Sequence, residues 1–223
     1  MKLCMILIVV VTGVSAFRQL DKNSLDSTKL KFIPHDLKPS GKKEDFCNGL
    51  ACPEYSVMYR NETGNFELRK YKETKWVTTD SSGMDYDEAG YKNFMKLFHY
   101  IGGDNKKKEK VTMTCPVIVM ITPGPGPACS SNFNMSFYID PNSSDPPQPS
   151  ENNIYFTKIP SVRAYVRTFG GFADYNKYKE QGLELMDAIG DTSLYHTDFY
   201  YTAGYDSPFK FFHRHNEVWF IAK

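Results

Sequence analysis

The sequence lacks the patterns by which common enzymes and membrane-spanning proteins are recognised. After residue 16, no apolar run approaches the ~20 residues that a helix needs to cross a bilayer. There is no nucleophile elbow, phosphate-binding loop, zinc-protease motif or dinucleotide fingerprint. The scattered carboxylates form no evident pair. We therefore expect a protein that is not an enzyme and does not span a membrane.

An excess of one charge is also missing. The chain carries 27 Lys and Arg residues against 26 Asp and Glu residues. Its one dense basic run, from Lys106 to Lys110, is more typical of a solvated loop than of a phosphate-binding surface. Nucleic-acid-binding domains normally present a basic face. The composition therefore argues against nucleic acid as a partner.

The most apolar run is at the N-terminus. Lys2 precedes apolar residues 3–11, and Val14-Ser15-Ala16 places small residues where a signal peptidase cuts. We interpret residues 1–16 as a secretory signal peptide, residues 17–46 as a polar and poorly ordered leader, and residues 47–223 as one domain. The expected protein is therefore secreted and extracellular, and we expect a monomer.

Cysteines are few, and four of the five follow residue 16. In an oxidising compartment these four are expected to form disulfides. Four thiols allow three different pairings. The shortest separations favour Cys47 with Cys52 and Cys115 with Cys129.

Three Asn-X-Ser/Thr sequons are present, at Asn61, Asn134 and Asn142. In an exported chain each of them can carry an N-linked glycan. Asn61 and Asn142 lie in turn-like sequence, so we expect these two to be the better acceptors.

Alternating and helical spacings place a series of elements after residue 65. Phe66 to Tyr71 alternates as a strand does, and residues 76–79 continue in strand-favouring residues, so the pair is expected to form a hairpin. A helix is predicted from Asp85 to the Gly102-Gly103 stop. Strands are then predicted over residues 111–122 and 134–139.

The same order of elements recurs after residue 150. Residues 153–158 and 162–167 repeat the strand pair, a second helix begins at Asp174, and residues 200–205 and 218–222 supply closing strands. We expect that neither half can bury its helix face alone. The sequence therefore predicts an α+β fold, a distorted antiparallel β-barrel flanked by two helices and built from a pseudo-twofold duplicated hairpin-helix-strand unit.

Several distinct motifs occur in a fixed order along this domain. They are Phe66-Glu67-Leu68-Arg69-Lys70-Tyr71, Met113-Thr114-Cys115-Pro116-Val117, the segment from Val166 to Phe172, and the tail from Tyr200 to Trp219. Together they resemble the SOUL haem-binding family over Tyr55 to Lys223. The resemblance implies a distorted β-barrel with two helices that binds haem or another porphyrin as a ligand, without catalysis.

Two features depart from that family. Most of its characterised animal members are cytosolic, whereas this chain begins with a predicted signal peptide. Where some members have a histidine that is proposed to ligate haem iron, this sequence has Lys70. The resemblance therefore implies extracellular buffering or transport of a porphyrin that is held by packing and lysines, without that histidine.

A porphyrin site needs an apolar wall and cations at its edge for the two carboxylates. The first predicted helix and the strand after it can supply both. The candidate ligand-binding residues are Lys70, Phe94, Lys96, Leu97, Phe98, His99, Ile101, Met113 and Lys210. Lys210 matches a basic position in the family's tail motif, and His99 is the leading candidate iron ligand. The alternative is that most of the aromatic residues form the core between helix and sheet.

A separate metal site is not expected. His213 and His215 alternate on one predicted strand face, but two ligands make a weak site. Two other functions stay open. The chain could be a secreted glycoprotein that uses its fold as a protein-interaction surface, or it could bind other amphipathic small molecules, as similar bacterial domains do.

Overall fold

The computed structural model describes residues 45–126 and 129–223. The predicted signal peptide and nearly all of the predicted leader lie outside the described residues. The strands are β1 (Tyr55–Asn61), β2 (Phe66–Tyr71), β3 (Thr74–Gly83), β4 (Val117–Thr122), β5 (Ser131–Tyr138), β6 (Ile154–Ile159), β7 (Val162–Phe169), β8 (Tyr200–Gly204) and β9 (Asn216–Ile221). The helices are α1 (Tyr86–Gly102) and α2 (Tyr175–Ile189), with short 3-10 helices at Asp45–Cys47 and Thr192–Leu194. In the described ranges, none of the helices has the length and apolar character needed to cross a membrane.

The nine strands form one antiparallel sheet in the order β1-β2-β7-β9-β8-β4-β5-β3-β6. It curves into a half-barrel. With the edge strand β1 set aside, each strand of the first half has a counterpart in the second half: β2 with β6, β3 with β7, β4 with β8 and β5 with β9. If every strand is replaced by its counterpart, the same sheet order is obtained in reverse. A pseudo-twofold axis therefore passes between β4 and β8, and the predicted duplicated α+β fold is confirmed.

The pairing within each predicted hairpin differs from the expectation. β2 ends at Tyr71 and β3 begins at Thr74, yet β2 pairs with β1 and β7, whereas β3 pairs with β5 and β6. Residues 160–161 join β6 to β7 in the same way. Each of these two short connections therefore joins strands that are not paired with each other in the sheet. Alternation correctly indicated strands, but it does not specify their partners.

Local sequence determines where both helices begin and end. The Asp85 carboxylate accepts hydrogen bonds from the backbone N–H groups of Asp87 and Glu88, at 2.9 and 3.0 Å. α1 stops at Gly103, whose φ of 119° favours glycine. α2 has the equivalent pair, Asp174 and Gly190. The predicted helix starts are confirmed.

Each helix packs mainly on strands of its own half. α1 buries Leu97 and Ile101 against β3 and β5, where Phe137 is a central contact. α2 buries Leu185 against Val218 and its neighbours on β9. The face of the sheet opposite the helices carries the third cluster, which draws on both halves and includes Tyr71, Trp76, Tyr138, Val166 and Trp219. Both halves therefore contribute to this third cluster, whereas each helix packs mainly against strands of its own half.

The strand predicted over residues 111–122 begins only at Val117. The Cys115 N–H donates to Ala51 O at 3.0 Å, and the Val111 N–H donates to Ile101 O at 2.8 Å. Pro116 has no N–H to give to a neighbouring strand. Residues 111–116 therefore run beside α1 and the Cys47–Cys52 segment before the ladder starts.

The predicted Cys47–Cys52 disulfide is present. The predicted pairing of Cys115 with Cys129 is wrong, because the two residues lie beyond opposite ends of β4. Its six residues extend roughly 20 Å, whereas the Cα atoms of a disulfide lie within about 7 Å of each other. Cys115 Sγ lies instead 3.0 Å from Cys52 Sγ.

Candidate functional site

A cavity of about 730 Å³ opens beside the edge strand β6. We call it the β3–β6 groove. Its lining residues are Glu73, Thr74, Lys75, Tyr138, Ile139, Asp140, Pro141, Ser143, Ser144, Asp145, Pro146, Gln148, Phe156, Thr157 and Lys158. A volume of this size is typical of small-molecule sites, which run from ~300 to ~1,000 Å³.

Antiparallel pairing places two lysines at the rim of the groove. Lys75 on β3 is directly opposite Lys158 on β6, and like charges in this arrangement repel each other. Lys158 Nζ lies 3.5 Å from Glu73 Oε1. Among the described residues, Lys75 has no ion-pair partner. Lys75 is therefore the rim cation available to an anionic ligand, whereas Lys158 is shared with Glu73 and the lining also carries Asp140 and Asp145.

The wall of the groove is partly aromatic. Tyr138 is buried and its ring packs on Trp76, with 5.4 Å between the ring centroids. Phe156 and Ile139 extend this wall. Burial, and then the nearby Asp140 and Glu54 carboxylates, raise the pKa of Tyr138 to about 12. Its phenol therefore stays protonated near neutral pH.

The loop from Asp140 to Pro149 forms the outer side of the groove and is tied to α1. Tyr100 OH donates to Pro147 O at 2.7 Å, and the Lys106 N–H donates to Gln148 O at 2.9 Å. Within the loop, the Asp140 carboxylate accepts from the Asn142 N–H at 2.9 Å. The position of this wall therefore depends on the C-terminal end of α1.

A second cavity of about 360 Å³ lies on the other side of this loop, which we call the α1 cavity. Tyr138, Ile139, Asp140 and Pro146 line both spaces. The smaller space is further lined by Leu50, Tyr100, Ile101, Val111, Met113 and Phe137, with Glu109 and Lys110 among its charged residues. It is smaller and lies closer to the helix than the β3–β6 groove.

The structure does not bring the nine predicted ligand-binding residues into one site. Ile101 and Met113 both line the α1 cavity. Leu97 has no exposed surface, and Phe94 packs on Phe137 in the same core cluster, with 5.5 Å between the ring centroids. These two residues therefore belong to the core between helix and sheet, as the alternative interpretation proposed.

The remaining predicted residues lie on the surface in separate places. Phe98 and His99 are exposed on α1, and Lys96 is half-buried there. Lys70 is exposed on β2. Lys210 Nζ lies 2.6 Å from Asp206 Oδ1, so its charge already has a partner.

The sequence analysis missed Lys75, Phe156 and Lys158. They come together because β3 pairs with β6, which joins residues about 80 positions apart. Alternation places Lys75 and Trp76 on opposite faces of β3, but nothing local indicated that β3 and β6 are neighbours. The histidines of the described residues, His99, His196, His213 and His215, line neither cavity.

The three sequons differ in exposure. Asn142 is exposed at the edge of the β3–β6 groove. Asn61 Oδ1 accepts from the Gly64 N–H at 2.7 Å within a turn. Asn134 lies within β5, between β3 and β4. Glycosylation stays a prediction, and Asn142 is the most accessible of the three acceptors.

Comparison with known proteins identifies similar chains. The SOUL heme-binding protein family matches residues 50–221. Heme-binding protein 2 from Homo sapiens is 40% identical over 164 residues, which cover 73% of this chain and 80% of that protein. Heme-binding protein 1 from Xenopus laevis is 36% identical over 182 residues, which cover 80% of this chain and 96% of that protein.

A solved structure shares the fold at low sequence identity. The crystal structure of the EcmrR C-terminal domain aligns with a TM-score of 0.55 and 14% identity, covering 71% of this chain and 96% of that one. At this identity the similarity concerns the fold alone.

Proposed function

Because the chain belongs to the SOUL heme-binding protein family, we propose that it binds haem or a related tetrapyrrole outside the cell, in an apolar groove and without a histidine ligand. Family membership indicates binding of a tetrapyrrole rather than catalysis. The site, the location and the absence of the ligand are our proposal. The role that follows is buffering or transport of the ligand.

The β3–β6 groove is the observation that carries this proposal. Its volume of about 730 Å³ suits a ligand of porphyrin size. Phe156 and Ile139 offer apolar surface to the ring, while Lys75 and Lys158 stand at the rim. Charge-assisted hydrogen bonds from the two lysines to the propionates would orient the ligand.

Two observations support binding without an iron-ligating histidine. Lys70 occupies the position at which some family members have that histidine. The four histidines within residues 45–126 and 129–223 line neither cavity.

An extracellular location is supported by the predicted signal peptide and by the Cys47–Cys52 disulfide. Disulfides persist in oxidising compartments. The exposed Asn142 is a further feature compatible with export.

A Soret-band titration with haemin and with iron-free protoporphyrin tests the proposal. We expect saturable binding of both porphyrins with similar affinity, because the iron is not ligated. Lys75→Glu is expected to weaken both affinities about fivefold or more by replacing an attraction to propionate with repulsion.

Lys70→Glu is the matched control, since Lys70 is also an exposed strand lysine but lies outside the groove. We expect this variant to bind as the wild type does. The proposal fails if neither porphyrin gives a saturable shift. The groove assignment fails if Lys70→Glu weakens binding as much as Lys75→Glu does.

A further inference from the structure

The loop between β8 and β9 presents large apolar side chains to solvent. Phe209, Phe211 and Phe212 are 84%, 67% and 79% exposed, and Phe172, in the loop between β7 and α2, is 59% exposed. The rings of Phe172 and Phe211 are in contact, with centroids 6.2 Å apart. We call these four residues the phenylalanine tip. Contiguous exposed apolar side chains mark an interaction site.

The backbone beneath the phenylalanine tip is held in place. Arg214 Nη1 donates to Ser207 O at 2.7 Å and to Lys210 O at 2.8 Å, which closes the loop at its base. The Arg214 guanidinium also lies 4.4 Å from the centre of the Phe172 ring. Asp206 accepts hydrogen bonds from Lys210 Nζ and from the His215 N–H. The exposure of the rings therefore belongs to an ordered loop.

In the loop that carries the phenylalanine tip, the basic side chains reach solvent whereas the acidic ones are buried. The acidic side chains of the loop and of the start of β9, Asp206 and Glu217, have no exposed side-chain surface. Lys210 and Arg214 keep half-buried side chains, although Lys210 is paired with Asp206 beneath it. Asp174, near Phe172, is an exposed acid, and its carboxylate accepts from the Lys177 N–H as the cap of α2.

We propose that the phenylalanine tip docks this protein on an anionic lipid surface. Aromatic rings next to cationic side chains are the combination that binds the boundary between headgroups and acyl chains, with electrostatic attraction to anionic lipid. Rings that are this exposed protrude, so they fit a soft lipid interface better than they form a pocket for a small ligand. The contact needs no membrane-spanning segment. It is independent of the porphyrin groove, which none of the four residues lines.

Vesicle co-sedimentation of the full chain tests the proposal. We expect binding to phosphatidylcholine vesicles that contain phosphatidylserine, and weaker binding to phosphatidylcholine alone. Replacing Phe209, Phe211 and Phe212 together by Ser is expected to lower the partition coefficient about tenfold or more, because the inserted apolar surface is lost. Met84→Ser with Tyr91→Ser is the matched control, since both residues are similarly exposed but lie beside or on α1. This control is expected to bind as the wild type does.

A site-resolved measurement separates the phenylalanine tip from any other lipid contact of the chain. Phe211→Trp places an indole at the tip, whereas the native Trp76 and Trp219 are buried. We expect brominated lipid to quench the new indole and to leave the native emission nearly unchanged.

Equal binding of the wild type and the triple Ser variant, or an indole at position 211 that is not quenched, would overturn the proposal. So would sedimentation velocity showing that the tip drives self-association in place of lipid binding. The triple variant should keep its porphyrin titration, so a failure of lipid docking is distinguishable from a failure of the proposed function.

Discussion

Glu217 gathers four side chains around a carboxylate that is fully buried. Arg69 Nη1, Trp219 Nε1 and Tyr205 OH donate to it at 2.9, 2.7 and 2.8 Å, and His215 Nε2 lies 2.7 Å from Oε1. Burial by itself raises the pKa of this carboxyl, but Arg69 and His215 outweigh it and lower the pKa to about 2. The carboxylate therefore stays ionised and links β2 to β9 across β7.

Replacing Glu217 by Gln should destabilise the fold. The buried Arg69 guanidinium would lose one of its two carboxylate partners and keep only Glu67, and breaking a buried pair costs about 3 kcal/mol. Urea unfolding followed by tryptophan fluorescence measures the difference at pH 7. Glu54→Gln, which breaks an exposed pair with Lys72, should change the free energy of unfolding by less than ~1 kcal/mol.

The lowered pKa of Glu217 predicts how the free energy of unfolding depends on pH. Its pKa in the folded protein is about 2, below its ordinary value of 4.5, so its contribution is fully present above about pH 4.5 and is lost as the pH falls toward 2. The gap in unfolding free energy between the wild type and Glu217→Gln should therefore narrow over this range. A gap that stays constant from pH 5 to pH 2 would contradict the lowered pKa.

Among the elements, helix α1 both packs on the sheet and holds one wall of the groove in position. Its apolar face covers β3 and β5, and its last turn holds the outer wall of the β3–β6 groove through Tyr100. Burial raises the pKa of Tyr100 to about 12, so its hydroxyl remains a donor to Pro147 O. The helix therefore couples the core to the loop from Asp140 to Pro149.

Tyr100→Phe should loosen this loop without unfolding the helix. The ring keeps its packing, and the loss of one hydrogen bond costs about 1 kcal/mol. Hydrogen exchange at residues 140–148 is expected to accelerate, and porphyrin affinity to fall severalfold. Tyr91→Phe, at an exposed position on the same helix, should change neither quantity. Unchanged exchange in Tyr100→Phe would mean that other contacts hold the wall.

In the whole molecule, the two halves depend on each other through the sheet. Three ladders cross between them, β2 with β7, β3 with β6, and β4 with β8. The cluster on the face opposite the helices is likewise built from both halves. A separated half would keep its helix contacts but would expose three strand edges and half of this core.

Fragments covering residues 45–150 and 151–223 should therefore not fold alone. Each is expected to show no cooperative thermal unfolding by circular dichroism, and an equimolar mixture is expected to recover part of the transition. A single fragment that unfolds cooperatively would contradict this dependence.

The sequence by itself determined most of the elements, though not β1, and the duplicated order in which they occur. Asp85 and Gly103 delimit a helix through hydrogen bonds and backbone geometry that involve only a few neighbouring residues. The alternation from Phe66 to Tyr71 reflects the two faces of one strand. The motifs likewise indicated the family. These signals depend on residues that are close in sequence, so they can be interpreted without knowing which strands are paired.

Only the tertiary structure decided which strands are neighbours and where a ligand can fit. Tyr71 and Thr74 belong to strands that are close in sequence but not paired, whereas Lys75 and Lys158 are distant in sequence and face each other. Leu97 could be a groove residue or a core residue from its spacing alone, and its packing placed it in the core. Helical and strand periodicities identify a face, but what covers that face depends on contacts between residues that are far apart in the chain.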